Sequence, residues 1–296
     1  QIACQPSAPI CGICGWCFLT LIWQLPLGFA LAAAIGYLGY RRRALNRSGV
    51  VGAIITGGII FGFGGLSGAA LLLTFFISSS ALSRFRETQK EALAEKFSKG
   101  SQRDIGQALA NGGAAALCII GYTLTHQPAW WAAFAASLAA ANADTWATEL
   151  GVLSRTPPRL ITNGKVVEVG TSGGVSLLGT QAAFSGSLLV AIIAYLAALF
   201  DPTLSVLRPS ASPLLTTVAF AGLLGSLFDS LLGAAVQAIY YCDPCQKETE
   251  RHPTHRCGAQ TRMLRGWRWL DNDWVNFLAT TMGAVLAALA FSGFSG

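Results

Sequence analysis

Charged residues are scarce in this sequence of 296 residues: Asp, Glu, Lys and Arg together make up 11% of it, whereas soluble domains typically contain ~25%. Hydrophobic residues account for 53% of the chain. This shortage of charge excludes an ordinary soluble domain and predicts an integral membrane protein.

Long apolar stretches divide the sequence, and each approaches or exceeds the ~17–25 residues that a helix needs to cross a bilayer. They are 18–40, 49–66, 67–83, 106–126, 129–150, 174–200, 213–240 and 275–293. We therefore predict an all-α membrane protein with about eight transmembrane helices, forming a single transmembrane domain over 18–296. The stretch 49–83 holds two crossings only if GFGGL (62–66) forms a very tight turn; otherwise it is a break in a re-entrant segment.

The basic residues are distributed unevenly between the loops. Alternating the eight spans places the loops 41–47, 84–104, 151–173 and 241–274 on one side, with 19 of the 20 Lys and Arg residues; only Arg208 lies opposite. Basic residues collect in cytoplasmic loops, so both termini are predicted to be non-cytoplasmic. The net charge of +6 is then a topology signal, and no nucleic-acid partner is expected.

The first 17 residues form an uncharged leader. No basic segment precedes the first span, so we do not expect a cleavable signal peptide. The leader contains Cys4, Cys11, Cys14 and Cys17 but no histidine. A disulfide or an appended extension explains these cysteines better than a metal site.

Carboxylates inside the predicted spans are rare and are therefore informative. They are Asp144 and Glu149, within NADTWATELG (142–151), and Asp229. An intramembrane Asp costs about 2.5–3.5 kcal/mol on insertion scales, and such residues usually mark function. Converging carboxylates need a cation between them, and oxygen ligands suit Mg²⁺. We expect Asn142, Asp144, Glu149 and Asp229 as its ligands; helix-end or interhelical hydrogen bonds are the plainer alternative.

The loop that follows combines basic side chains with a glycine-rich run. Arg155, Arg159 and Lys165 precede GTSGGVS (170–176), which leads directly into the next span. Free backbone N–H groups at a helix start bind phosphate well, although glycine-rich segments also serve as plain turns. The predicted nucleotide- or phosphate-binding residues of this loop are Arg155, Arg159, Gly170, Thr171, Ser172, Gly173, Gly174 and Ser176.

Four segments together resemble the phytyl-phosphate kinase family and its uncharacterised prokaryotic and animal relatives, in matching order over roughly 40–293. They are NADTWATELG, SRTPPRLIT with VEVGTSGGVS, DSLLGAAVQ (229–237) and NDWVNFLAT (272–280). The group is also distantly similar to the CTP-dependent phytol and dolichol kinases.

The resemblance implies a catalytic membrane domain that converts phytyl or another prenyl monophosphate to the diphosphate, for tocopherol and prenyl-lipid synthesis. CTP, or another nucleoside triphosphate, and Mg²⁺ are the expected co-substrate and cofactor. The site is expected at the cytosolic or stromal face of a plasma or thylakoid membrane or chloroplast envelope. Asp144, Lys165 and Asp229 are the expected catalytic residues.

Two polar groups flank this predicted site. Arg103, Gln107 and Asn111 lie on one helix face and either line the path of the substrate headgroup or join helices. RFRETQKEALAEKFSKG (84–100) is predicted as a surface helix. Asn272, Asp273 and Asn276 are assigned to nucleotide or metal binding, with a helix cap explaining one polar residue of DNDWVN (271–276).

The loop 240–258 has a C-x-x-C pair followed by histidine and cysteine. The ligand set Cys242, Cys245, His255 and Cys257 fits a structural Zn²⁺ site, while unmetallated thiols are the alternative.

Two other functions would use the same residues. A transporter would bind Na⁺ or H⁺ at the intramembrane carboxylates, but no internal repeat supports it. A cytidylyltransferase would form a CDP-lipid and release pyrophosphate. The expected partners are the lipid bilayer, a prenyl phosphate and a nucleotide, and assembly into a homo-oligomer stays open.

Overall fold

The computed structural model describes residues 15–85 and 102–292, with side chains in the first helix from residue 22 onward. The side chains of the four leader cysteines, and most of the surface helix predicted at 84–100, lie outside this part of the chain. The described helices are α1 (Gly15–Arg41), α2 (Arg47–Arg84), α3 (Ile105–Thr125), α4 (Pro128–Gly151), α5 (Leu177–Phe200), a 3₁₀ helix (Pro202–Ser210), α6 (Ala211–Ala235) and α7 (Asn272–Ser292).

Most of these helices have the length and composition of membrane spans. Within the described residues, six segments qualify, in α1, α2, α3, α5, the 3₁₀ helix with α6, and α7. Helix α4 is not one of them, because Asn142, Asp144 and Glu149 reduce its hydropathy. The prediction of an integral membrane protein is confirmed, while the number of crossings and their orientation stay predictions.

Helix α2 reverses direction at Gly65, inside the predicted turn GFGGL. Gly65 has φ 59° and ψ −153°, a combination that is essentially restricted to glycine. The two halves then pack against each other so closely that a Cβ on Gly68 would lie 2.9 Å from the carbonyl oxygen of Ile60. Arg84 donates a hydrogen bond to the carbonyl of Arg42, so α2 ends beside its own start.

Helix α4 lies at the centre of the bundle. Every residue from Trp131 to Ala143 is buried, and α2, α3, α5, α6 and α7 all pack against it. Small residues allow this close approach. A Cβ added to Gly225 of α6 would lie 2.7 Å from the Cβ of Ala140, and one added to Gly283 of α7 would lie 3.0 Å from it. The polar end of α4 is therefore held among helices rather than facing lipid.

Short β-strands occur in two loops, so the all-α prediction is wrong in detail, although the chain is mostly helical. β1 (Arg159–Leu160) pairs antiparallel with β2 (Gly174–Val175). β3 (Ile239–Cys242) lies between β4 (Lys247–Thr249) and β5 (Arg262–Arg265) in an antiparallel sheet. Strands of two to four residues are too short for the alternating pattern by which strands are predicted.

We expect Gly65→Ala to destabilise the protein by about 1–3 kcal/mol, because alanine is strained in this backbone conformation. Thermal unfolding in detergent, followed by circular dichroism, measures the effect. Gly113→Ala is the matched control: Gly113 is helical, and its new Cβ would meet Phe277 at an ordinary 3.5 Å. Equal unfolding temperatures for the two variants would contradict the assigned turn.

Candidate active site

Polar segments from across the sequence meet at one end of the bundle. Ser83 of α2 donates a hydrogen bond of 2.6 Å to Glu149 of α4. Ser172, in the glycine-rich loop, donates one of 2.7 Å to Gln237, just beyond α6. The loops at this end are those that contain most of the described basic residues.

Three carboxylates converge at this end of the bundle. Asp144 of α4 and Asp229 of α6 lie close enough to interact electrostatically, and Glu250 acts on both. One carboxylate oxygen of Asp229, Oδ2, is buried and has no hydrogen-bond partner among the described residues. Mutual repulsion and incomplete solvation make this arrangement unfavourable unless a cation or a proton lies among the oxygens.

Glu250 was missed by the sequence analysis. It directly follows β4, and its Oε1 accepts a hydrogen bond of 2.9 Å from the side-chain amide of Gln237. Because Gln237 also accepts from Ser172, a continuous chain of hydrogen bonds joins the glycine-rich loop to this carboxylate. Glu250 lies in the charged run KETER (247–251), and nothing in that run distinguishes the one acidic residue that turns inward.

The glycine-rich loop is a tight turn packed against the end of α6. Gly170 and Gly173 have φ of 81° and 83°, and a Cβ on Gly173 would lie 2.4 Å from the Cβ of Ala234. The loop then pairs as β2 with β1, and the Ser176 hydroxyl accepts a hydrogen bond of 3.1 Å from the Gly179 amide, capping α5. These contacts account for the glycines structurally, so phosphate binding by this run remains a prediction.

The basic residues of the same loop are exposed. Arg159 donates a hydrogen bond of 2.9 Å to the Gly164 carbonyl and so closes the small hairpin that presents Lys165. The Lys165 side chain makes no hydrogen bond or ion pair with the described residues. Arg155 is likewise exposed. The structure therefore leaves these cations at the surface beside the loop and does not bring them into contact with the carboxylates.

Asn142 and Glu149, two of the predicted metal ligands, bond elsewhere. The buried Asn142 accepts hydrogen bonds of 2.9 and 3.1 Å from Ser78 and Ser79 and donates one of 2.8 Å to the Gly186 carbonyl. It thus joins α4 to α2 and α5. Glu149 accepts from Ser83. Of the four predicted Mg²⁺ ligands, the structure brings together Asp144 and Asp229.

Arg103 lies beside Glu149, between α2 and α3. Its guanidinium is 5.1 Å from the centre of the Phe75 ring and 5.9 Å from that of Phe76. Burial lowers the pKa of Arg103 to about 10, and the charge of Glu149 opposes this shift. This arginine stays cationic at neutral pH and offsets the charge of Glu149.

Gln107 and Asn111 make contacts within their own helix. Gln107 and Asp104 form a reciprocal capping box at the start of α3, with hydrogen bonds of 2.9 and 3.2 Å. The Asn111 amide donates one of 2.9 Å to the Gln107 carbonyl. These described bonds are neither the interhelical links nor the headgroup contacts considered from the sequence.

At the start of α7, Asp271 supplies the helix cap. Its Oδ1 accepts hydrogen bonds of 3.0 and 3.1 Å from the amides of Asp273 and Trp274. Asn272, Asp273 and Asn276 are half-buried in the first turns of α7. Their assignment to nucleotide or metal binding stays a prediction.

These features define an integral, multi-pass membrane protein with a polar site at one end of its helix bundle. The chain belongs to the integral membrane protein family DUF92, which matches residues 30–284. The predicted family membership is thereby confirmed.

Relatives of the chain include proteins of a plant and of prokaryotes. Protein PGR of Arabidopsis thaliana is 33% identical over 285 residues, covering 90% of this chain and 96% of that protein. An uncharacterised membrane protein of Methanocaldococcus jannaschii is 33% identical over 278 residues, covering 92% and 96% respectively. The chloroplastic protein VTE6 of A. thaliana is 26% identical over 252 residues, covering 83% of this chain and 65% of VTE6. No solved structure matches the chain.

Asn142→Ala should destabilise the folded protein by about 1–2 kcal/mol, because it removes three interhelical hydrogen bonds, each worth ~0.6 kcal/mol in membrane proteins. Thermal unfolding in detergent measures this. Ser137→Ala is the matched control, since Ser137 is also buried in α4 but its hydroxyl has no hydrogen-bond partner within residues 15–85 and 102–292. If both variants unfold at the wild-type temperature, Asn142 does not hold the helices together.

Proposed function

We propose that this protein is a membrane-embedded phosphotransferase that converts phytyl or a related prenyl monophosphate to the diphosphate. CTP is the proposed phosphoryl donor, and Mg²⁺ the proposed cofactor. The observation that carries the proposal is the convergence of Asp144, Asp229 and Glu250 at the polar end of the bundle. The resemblance of the site segments to the phytyl-phosphate kinase family supplies the substrate class.

The cluster of Asp144, Asp229 and Glu250 is suited to a magnesium ion. Mg²⁺ in such enzymes usually takes one or two protein carboxylates and completes its shell with water and substrate phosphates. Asp144 and Asp229 would hold it. The buried Asp229 oxygen that lacks a hydrogen-bond partner in the described part of the chain supports a ligand at this position. When bound, the ion would neutralise charge on the triphosphate.

In this proposal Glu250 helps to position the glycine-rich loop beside the carboxylates. Its carboxylate approaches Asp144 and Asp229 from the extramembrane sheet, while Gln237 fixes its orientation through the 2.9 Å hydrogen bond. The same glutamine is bonded to Ser172. A phosphate group held at the glycine-rich loop would therefore lie beside the carboxylates, with Lys165 and Arg155 available at the surface to attract the nucleotide.

The reaction needs little acid–base chemistry from the protein. An oxygen of the prenyl phosphate forms a bond to the terminal phosphorus of the nucleotide, and the bond from that phosphorus to the bridging oxygen breaks, releasing the nucleoside diphosphate. Phosphate monoesters have a second pKa of about 6, so the acceptor oxygen is already anionic at neutral pH. Catalysis then depends on positioning and charge neutralisation.

The proposed setting is a bilayer crossed eight times, with the two halves of α2 counted separately. The basic loops support a cytosolic or stromal location for the carboxylate end, where nucleotides are available. The chloroplastic relative in A. thaliana supports a chloroplast membrane as one location.

Asp229→Asn is expected to reduce phosphoryl transfer by about 100-fold or more, the usual loss when a charge-stabilising group is removed. The assay incubates the purified protein in detergent with Mg²⁺, CTP and radiolabelled phytyl monophosphate, and separates the products. Asp144→Asn and Glu250→Gln should also lose activity. Asp243→Asn is the matched control, because Asp243 lies in the turn between β3 and β4 of the same loop but pairs with Arg262 at the surface, 3.0 Å away.

The products separate the rival functions. Phytyl diphosphate and CDP, formed by the wild type and by Asp243→Asn but not by Asp229→Asn, support the kinase. Release of pyrophosphate together with formation of a CDP-lipid would instead identify a cytidylyltransferase. If no nucleotide is consumed with several prenyl phosphates as acceptors, the kinase proposal fails, and a transporter becomes the better explanation of the carboxylates.

A further inference from the structure

Four potential metal ligands meet in the extramembrane loop between α6 and α7. Cys242 is the last residue of β3, and Cys245 lies in the turn between β3 and β4. His255 and Cys257 lie in a second turn, which closes with a 3.0 Å hydrogen bond from the Gly258 amide to the His255 carbonyl. One ligand atom from each of the four lies within 4.8 Å of all the others.

Three of the six separations between the ligand atoms are close to the edges of a tetrahedron around a metal ion. Cys242 Sγ is 3.6 Å from Cys257 Sγ, and His255 Nδ1 is 3.5 Å from Cys245 Sγ and 3.3 Å from Cys257 Sγ. Zn–S and Zn–N bonds of about 2.3 and 2.0–2.1 Å give ideal edges of about 3.8 Å between sulfurs and 3.5 Å between sulfur and nitrogen. A disulfide would need its sulfurs about 2.05 Å apart, so the described cysteines are not oxidised to one another.

We propose that Cys242, Cys245, His255 and Cys257 bind one structural Zn²⁺ ion. Three thiolates and an imidazole select zinc over Mg²⁺ or Ca²⁺, which prefer oxygen ligands. All four positions of the tetrahedron are taken by protein atoms, which leaves no position for a substrate or a reactive water. The ion therefore stabilises the loop and does no chemistry of its own.

The zinc site also affects the position of Glu250, and the importance of this effect rests on the proposed function. Glu250 lies in the sequence between the two ligand pairs, Cys242 with Cys245 and His255 with Cys257. Zinc would tie the two ends of this segment together, so that the backbone around Glu250 is fixed. Glu250 then stays within reach of Gln237 and of the intramembrane carboxylates. The metal acts on the active site only by positioning this residue.

Metal analysis of the purified full-length protein tests the site directly. We expect about one zinc per chain by inductively coupled plasma mass spectrometry, and loss of at least nine-tenths of it in His255→Ala. His252→Ala is the matched control: His252 is three residues away in the same loop, but it stacks on Tyr240, with ring centroids 4.4 Å apart, and lies outside the ligand cluster. Equal zinc in the two variants, or none in the wild type, would overturn the proposal.

Two further measurements address folding and coordination. Replacing the ion with Co²⁺ should give the visible absorption of a tetrahedral thiolate site in the wild type and in His252→Ala, but not in His255→Ala. The three cysteines should resist alkylation until a chelator is added. Their rapid alkylation without chelator, or a mass-spectrometric link between Cys242 and Cys257, would contradict a zinc site.

The variant Glu250→Gln separates the zinc site from the proposed catalysis. It should retain full zinc, because Glu250 is not a ligand, while losing phosphoryl transfer. His255→Ala should lose both. A wild-type protein that contains zinc but transfers no phosphoryl group would leave the metal site established and reject the phosphotransferase.

Discussion

The structure depends on enclosing helix α4, which has a polar end, among the other helices of the bundle. Helix α4 has a buried, mostly alanine-rich body and a polar end, and α6 and α7 reach it through glycines that face Ala140. Close backbone approach of this kind replaces the hydrophobic effect, which does not drive helices together in lipid. A larger residue at Gly225 or Gly283 would push α6 or α7 away from α4.

Enclosure also explains how the polar residues divide their roles. Asn142 forms hydrogen bonds with α2 and α5. Asp144 instead lies near the Asp229 carboxylate of α6. Glu149, one turn further, is bonded to Ser83 and lies near Arg103. Satisfied groups stabilise the bundle, whereas one buried oxygen of Asp229 has no hydrogen-bond partner among the described residues and is available to a ligand.

The sequence predicted the membrane class, the family and the proximity of Asp144 to Asp229, because rare charges in apolar spans are conspicuous. It could not separate Asn142 from Asp144, since helical spacing gives the angle between two side chains but not which neighbour each one meets. Gln107 resembles a lining residue until the cap at Asp104 is seen. Glu250 was hidden because its position depends on the fold of a sheet whose strands are too short to recognise. The cluster of Cys242, Cys245, His255 and Cys257 was easier to predict, since the spacing of these residues alone suggested it.

The reversal of α2 at Gly65 also bears on how the protein enters a membrane. In the proposed topology the two halves of α2 cross in opposite directions, yet they are joined by a single residue of irregular backbone instead of a hydrophilic loop. No polar segment then has to be carried through the bilayer at this point. Each half is near the lower limit of a spanning helix, so the two halves should enter the bilayer together as one helical hairpin.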